Sequence, residues 1–214
     1  FKQKTAYEIK ECDWSSDVCS SDLNERLAKH YGIARDTTRG LDLRKVGLPA
    51  DSHRGGVITQ ASVLKLTTNA TYTSPVKRGA WLLERIMGTP PAPPPPNVAA
   101  IEPDIRGAVT IREQLAKHKA VPVCASCHQH IDPPGFALES FDVVGGWRDF
   151  YRSKQGGNGN QFVELANYPG RKVWLAKPVE ASGDLATGEH FANIDMWKEF
   201  ALRDRDQLTR NLAE

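Results

Sequence analysis

Between residues 74 and 118 apolar positions recur at helical spacing in two places, separated by a stretch with no periodicity. After Ser74-Pro75, the residues Val76, Ala80, Leu83 and Met87 fall on one stripe, with Leu82 and Ile86 beside it, until Gly88 ends the run. Serine caps free N–H groups and proline suits the first helical position, so the pattern predicts a helix over 75–87. TPPAPPPPN (89–97) must then be extended, because each proline ring removes a donor and restrains its predecessor. It reads as a stiff spacer in preference to an SH3-type ligand. Thr110 and Glu113 have capping-box spacing, so TIREQLAKHKA reads as a helix burying Ile111 and Leu115, with Ala116 or His118 beside them.

Elsewhere the pattern is weaker. NERLAKHYGI (24–33) reads as a helix with Leu27, Ala28 and Tyr31 on one face and Gly32 as its stop, packing on a core further upstream. Residues 34–53 are polar and turn-rich, and the apolar segment 54–70 fits a strand or a short helix equally well. FALESFDVV (136–144) is another short apolar segment, and GGWRDFYRSKQGGNGNQ falls into a Gly- and Asn-rich loop dividing two subdomains. Short extended pieces are expected over 173–188 and one or two closing helices after that. The expected fold class is mainly α, with long irregular loops and a few short strands.

The first 23 residues fit none of these patterns. KQKTAYEI and CDWSSDVCSSDL read, codon by codon, as translated sequencing adapter, so residues 1–23 are set aside as an artefact before fold reasoning. Removing them takes away Cys12 and Cys19 and leaves Cys124 and Cys127, which excludes a disulfide scaffold. The chain has 214 residues, 40% hydrophobic and 25% charged, with a net charge of +2, a balance typical of globular domains. Its basic residues are scattered, so no nucleic-acid partner is indicated, and no apolar run approaches the roughly 18 residues of a membrane span.

The chemistry concentrates in CASCHQHIDPPGFALESFD (124–142). Cys-x-x-Cys-His is the attachment signature of c-type haem: the thiols of Cys124 and Cys127 add across the two vinyl groups, and His128 binds the iron as proximal ligand. Covalent haem c is therefore the expected cofactor. Zinc is the next reading, with His118, His128 or His130 completing a tetrahedral set, although the usual second pair lies a dozen or more residues away. A dithiol redox site would want a strand before the motif and a helix opening at the first cysteine, a context that Pro122-Val123 and the preceding helix do not provide. A plain structural disulfide is the remaining option.

The sixth iron position has several candidates: His118, against its reading as a solvated histidine at a helix C-terminus; Met196; an external group; or none. Met87 reads as core, His130 is tied too close to His128, and His30 and His190 have nothing beside them in sequence. Asp132-Pro133-Pro134-Gly135 reads as a turn, one of whose backbone carbonyls accepts the proximal ring N–H. Phe136, Leu138, Phe141 and Trp147 are porphyrin contacts or ordinary core, and Arg148 is a propionate partner or a solvated surface arginine.

RGGVITQASVLKLTTNATYTSPVKRGAWLLERIMGTPPAPPPPNV followed by TIREQLAKHKAVPVCASCHQHIDPPGFALESFDVVGGWRDFY resembles the domain of unknown function 1588, which accompanies planctomycete-type cytochrome c domains in large exported proteins. NERLAKHYGI is similar to the end of the preceding 1592 domain and KPVEASGDLATGEHF to the start of the 1585 domain. The resemblance implies an organisation of 24–53 as the end of a preceding domain, 54–152 as the haem-binding domain with the 89–97 spacer, 153–175 as a Gly/Asn-rich linker and 176–214 as the start of a C-terminal domain. It implies a cytochrome-c-like haem module within an exported protein, periplasmic or at the cell surface, whose partners are the other domains of a longer chain and a redox partner. The expected function is electron transfer, the iron cycling between Fe(II) and Fe(III). The alternative is a structural or interaction module with a zinc- or disulfide-stabilised Cys-x-x-Cys site and no redox activity. A peroxide-reactive iron is a third reading.

Overall fold

A computed structural model describes residues 20–33, 38–49, 52–69, 71–94, 110–153, 161–164 and 170–213. The fold is helix-rich with small antiparallel sheets. Strand β1 (Ser20–Leu23) pairs antiparallel with β2 (Arg44–Gly47), and helix α1 (Glu25–Tyr31) lies between them in sequence. Asn24 caps α1 by accepting from the Leu27 N–H at 3.0 Å, and Gly32 ends it at φ 71°. Ala28 packs with Leu23, Ile33 and Val46 in a small cluster of its own. The helix expected to need a core upstream thus closes on residues from 23 to 48, including the last residue of the stretch set aside as adapter-derived. Residues 1–19 of that stretch lie outside the described residues.

The segment whose periodicity left strand and helix open is helical: a single 3₁₀ turn, Val57–Thr59, leads into α2 (Ala61–Leu66). Helix α3 (Pro75–Trp81) begins as predicted, with Ser74 accepting from the Lys77 N–H at 3.3 Å. Its last turns, Leu82–Ile86, widen into a π-helix in which the Met87 N–H reaches back five residues to Leu82 O at 2.9 Å. The buried stripe is Pro75, Arg78, Gly79, Leu82 and Ile86. It differs from the predicted one because an arginine and a glycine occupy core positions, which a count of apolar residues passes over. Of the polyproline stretch, residues 89–94 form neither helix nor strand, and 95–97 lie outside the described residues.

Helix α4 (Ile111–His118) starts at the predicted capping box, both halves of which are formed, and buries Ile111 and Leu115. The next helix, α5 (Pro122–Ala137), overturns an expectation: Asp132-Pro133-Pro134-Gly135 is helix throughout, not a turn. Two interior prolines remove two backbone donors at a cost of about 3 kcal/mol or more. The opposing factor is burial of Ile131, Pro134, Phe136 and Ala137, together with a crossing against α3 that only glycines permit. A Cβ on Gly79 would stand 1.7 Å from Ile131 O, and one on Gly135 would stand 1.8 Å from Pro75 O. The site-bearing helix is thereby seated on α3 at backbone contact.

Beyond α5 the chain forms β3 (Phe150–Ser153), β4 (Phe162–Glu164) and β5 (Lys172–Pro178), an antiparallel sheet with β5 in the middle. A two-residue pair, β6 (Gly183–Asp184) and β7 (His190–Phe191), precedes helices α6 (Ile194–Ala201) and α7 (Arg205–Ala213). The stretch read as a linker thus contributes strands at both ends. Phe191, Ile194, Trp197 and Ala201 enter the same core as Ile58, Leu64, Leu82, Ile86, Leu138 and Phe141. Residues taken as the start of a separate domain share the interior of the segment before them. Arg54 ties the N-terminal cluster to this body, its guanidinium 4.1 Å over the Tyr31 ring.

Candidate functional site

Helix α5 opens at Pro122, with Val121 in the N-cap position, so Cys124 lies in its first turn and Cys127 one turn on. Both are free thiols of intermediate exposure. A helix does open just before the first cysteine, contrary to the sequence reading, but helix α4, not a strand, precedes it. His128 follows on the side of α5 that faces α4. Its Nδ1 lies 2.8 Å from Asp132 Oδ1, one helical turn along, and the Asp132 side chain is fully buried (0% exposed). The partner expected for this ring was a backbone carbonyl of a turn. With the helix continuing through Asp132, the i+4 carboxylate takes that position, because i and i+4 side chains share a face.

The remaining Asp132 oxygen, Oδ2, has no hydrogen-bond partner and lies 3.8 Å from Lys119 Nζ. Burial pushes the Asp132 carboxyl up, while the hydrogen bond from His128 and the charges of His128, Lys119 and His118 act in the opposite direction. His118 meets His128 edge-on, ring centroids 4.9 Å apart. That contact leaves no space for a planar macrocycle between the rings, so in this arrangement His118 does not stand opposite His128 as a sixth ligand.

On the other side of α5 runs an apolar groove of about 660 Å³, walled by Leu83, Met87, Cys127, Ile131, Trp197 and Phe200. Arg203, paired with Glu189, supplies its polar edge. Pockets of this size and character hold small ligands and cofactors. Cys127 borders the groove and His128 does not. Met87, read as core, packs on the core and also lines this groove. Met196 is not among its lining residues: it sits on the outer face of α6, its sulfur accepting the Ala192 N–H at 3.4 Å. His130 lines the groove next to Gln129, whose Nε2 lies 3.2 Å from its ring.

Three further expectations change. Arg148 is neither solvated nor free for a propionate, because it is engaged by Thr73 Oγ1 at 2.8 Å and by the fully buried Glu139. His190 and His30, alone in the sequence, have partners in space: Asp184 Oδ1 at 2.8 Å and Val144 O at 2.6 Å respectively. Leu138 and Phe141 are core, Trp147 packs on Phe141, and Phe136 joins Ile111 and Leu115 beneath the Arg112 guanidinium, 3.8 Å over its ring. Among the described residues no three His, Cys, Asp or Glu side chains converge as a metal site. Asp132 and Lys119 are the residues that sequence reasoning missed. The signal for Asp132 was its four-residue spacing from His128, hidden by reading the prolines as a turn.

No curated protein and no solved structure matches the chain. Residues 54–151 match the PSCyt3 family, described as "Protein of unknown function (DUF1588)". This span takes in α2 to α5 and the glycine crossing, hence Cys124, Cys127, His128 and Asp132 together. The chain thus carries a DUF1588 (PSCyt3) domain, with its Cys-x-x-Cys pair on the helix that crosses α3 at backbone contact.

Proposed function

We propose that this domain carries haem c, attached covalently through Cys124 and Cys127 and bound by His128, and that it transfers electrons within a larger exported protein. The observation that carries the reading is the set on α5: two partly exposed thiols one turn apart and, next to the second, a histidine whose Nδ1 is already taken by a buried carboxylate. That set fits the group. When bound, haem supplies a one-electron couple between Fe(II) and Fe(III).

The protein's own part is to hold and tune. Cys124 and Cys127 anchor the macrocycle to a helix that the Gly79–Gly135 crossing keeps from shifting. The groove beside Cys127 offers an apolar wall against which one edge of the bound group would lie. Attachment of this kind takes place outside the cytoplasm, so the proposal includes export to the periplasm or cell surface, with electrons passing to a redox partner or another domain of the same chain. The family name, PSCyt3, is in keeping with a cytochrome association.

The test is expression of the chain behind an export signal in a host with haem-attachment machinery, followed by a denaturing gel stained for haem peroxidase activity. A stained band that disappears in a C124A/C127A double variant supports the proposal. A colourless, iron-free chain holding stoichiometric zinc or a Cys124–Cys127 disulfide overturns it and establishes the structural module in its place. A loaded protein with six-coordinate, low-spin, peroxide-inert iron marks an electron carrier and excludes the peroxide-reactive reading.

A further inference from the structure

We propose that Asp132 is the positioning residue of this site: its carboxylate fixes the His128 ring with the proton on Nδ1, leaves Nε2 as the metal-binding nitrogen, and places a negative charge behind the ring. The inference deepens the haem reading and rests on it for the last of these effects, but the tautomer follows from the chain's own residues.

The geometry makes the argument. Asp132 Oδ1 faces His128 Nδ1 at 2.8 Å, and the Lys119 ammonium 3.8 Å from Oδ2 favours the carboxylate, which accepts from an Nδ1–H. In a neutral imidazole the other nitrogen then carries the lone pair, and the lone pair is what binds a metal. Free histidine in water prefers the opposite tautomer, so the protein is selecting the minor form. Asp132 is held where it can do this. It lies inside α5, its side chain has no exposure to water, and the next turn of the helix is clamped by the approach of Gly135 to Pro75 O. The His118 ring, edge-on at 4.9 Å, closes a second side of His128. Lys119 Nζ, at 3.8 Å from Oδ2, lies beyond hydrogen-bond distance and leaves Oδ1 to the histidine.

A carboxylate behind a ligating histidine also differs from a backbone carbonyl in kind. It brings a full charge, raises the basicity of the ring, and stabilises Fe(III) relative to Fe(II). The charge of Asp132 therefore acts to lower the reduction potential relative to the same site without it.

Two measurements on the full chain decide the point. The first is ¹⁵N NMR of the histidine rings in chain produced without haem-attachment machinery. His128 is expected as the Nδ1–H tautomer in the wild type and as the Nε2–H tautomer in D132A. The second is the midpoint potential and iron–histidine stretching frequency of the haem-loaded chain. In D132N, which keeps the side chain's shape and removes its charge, the potential should rise and the stretching frequency fall. Q129A, on the exposed side of the same helix, should change neither. An Nε2–H wild-type ring overturns the proposal, as does a potential that D132N leaves unmoved. If D132A does not fold, the wild-type tautomer still gives the answer. If no haem is attached at all, the gel experiment above rejects the haem reading while the NMR result judges Asp132 separately.

Discussion

Arg78 carries a charge on a fully buried side chain, on the core stripe of α3. Its Nη1 donates to Leu138 O and Phe141 O, both at 2.7 Å, and its Nη2 donates to Asp142 O at 2.9 Å. Glu139, equally buried, stands 3.9 Å away. Burial pulls the guanidinium down to about 10, against the pull of Glu139, so it stays charged at neutral pH. The arginine satisfies the carbonyls where the chain leaves α5 without a helix to receive them. Replacing it removes the donors and leaves Glu139 with a weaker counter-charge. R78M is expected to lose about 3–5 kcal/mol of stability, measured as a fall in the urea midpoint.

A second residue gives a pH signature. Glu113 closes the capping box of α4 and accepts from Lys177 Nζ at 2.8 Å, and these bonds, the lysine's foremost, hold its carboxyl down at about 2. A folded-state value below the unfolded one stabilises the fold above the unfolded pKa and is lost as pH falls towards the folded one. The thermal-midpoint gap between wild type and E113Q should accordingly be constant above about pH 5 and shrink between about pH 4.5 and 2. A gap that stays constant down to pH 2 would count against this assignment.

At the scale of elements, the decisive contact is α3 on α5. Gly79 and Gly135 each sit where a methyl group would run into the partner's backbone, which has no flexible end to move aside. G79A and G135A are each expected to cost about 1–3 kcal/mol in urea unfolding. Both should also broaden or shift the His128 resonances, since the same crossing holds its helix.

The elements that announce themselves by local chemistry were legible in the sequence: the Gly32 stop of α1, the Ser74-Pro75 start of α3, and the capping box of α4. The elements set by tertiary contact were not. The prolines at 133 and 134 say turn on local grounds, and burial against α3 makes them helix. The candidate site shows the same division. Cys124, Cys127 and His128 were readable from adjacency, whereas Asp132 could be found only once the helix was known to run on. Arg148 read as surface because its partners, Thr73 and Glu139, are brought to it by the fold.

At the scale of the whole molecule, the described core does not respect the boundaries drawn from sequence. The DUF1588 domain supplies Ile58, Leu64, Leu82, Ile86, Leu138 and Phe141, and the segment after it supplies Phe191, Ile194, Trp197 and Ala201. The groove beside Cys127 has walls from both. Ending the chain at residue 153 would therefore uncover the core and open one wall of the groove. Such a truncation is expected to bind the dye ANS and to unfold without a sharp thermal transition, checked by fluorescence and calorimetry. A cooperative transition close to that of the full chain would show that the two segments are independent.

The central claim is that two thioether links tether haem to α5, and the intact mass of the exported chain tests it most directly. Protein purified from a host competent in haem attachment should exceed its sequence mass by one haem, and the excess should survive denaturation and vanish in the C124A/C127A variant. A mass equal to that of the bare polypeptide would contradict the account.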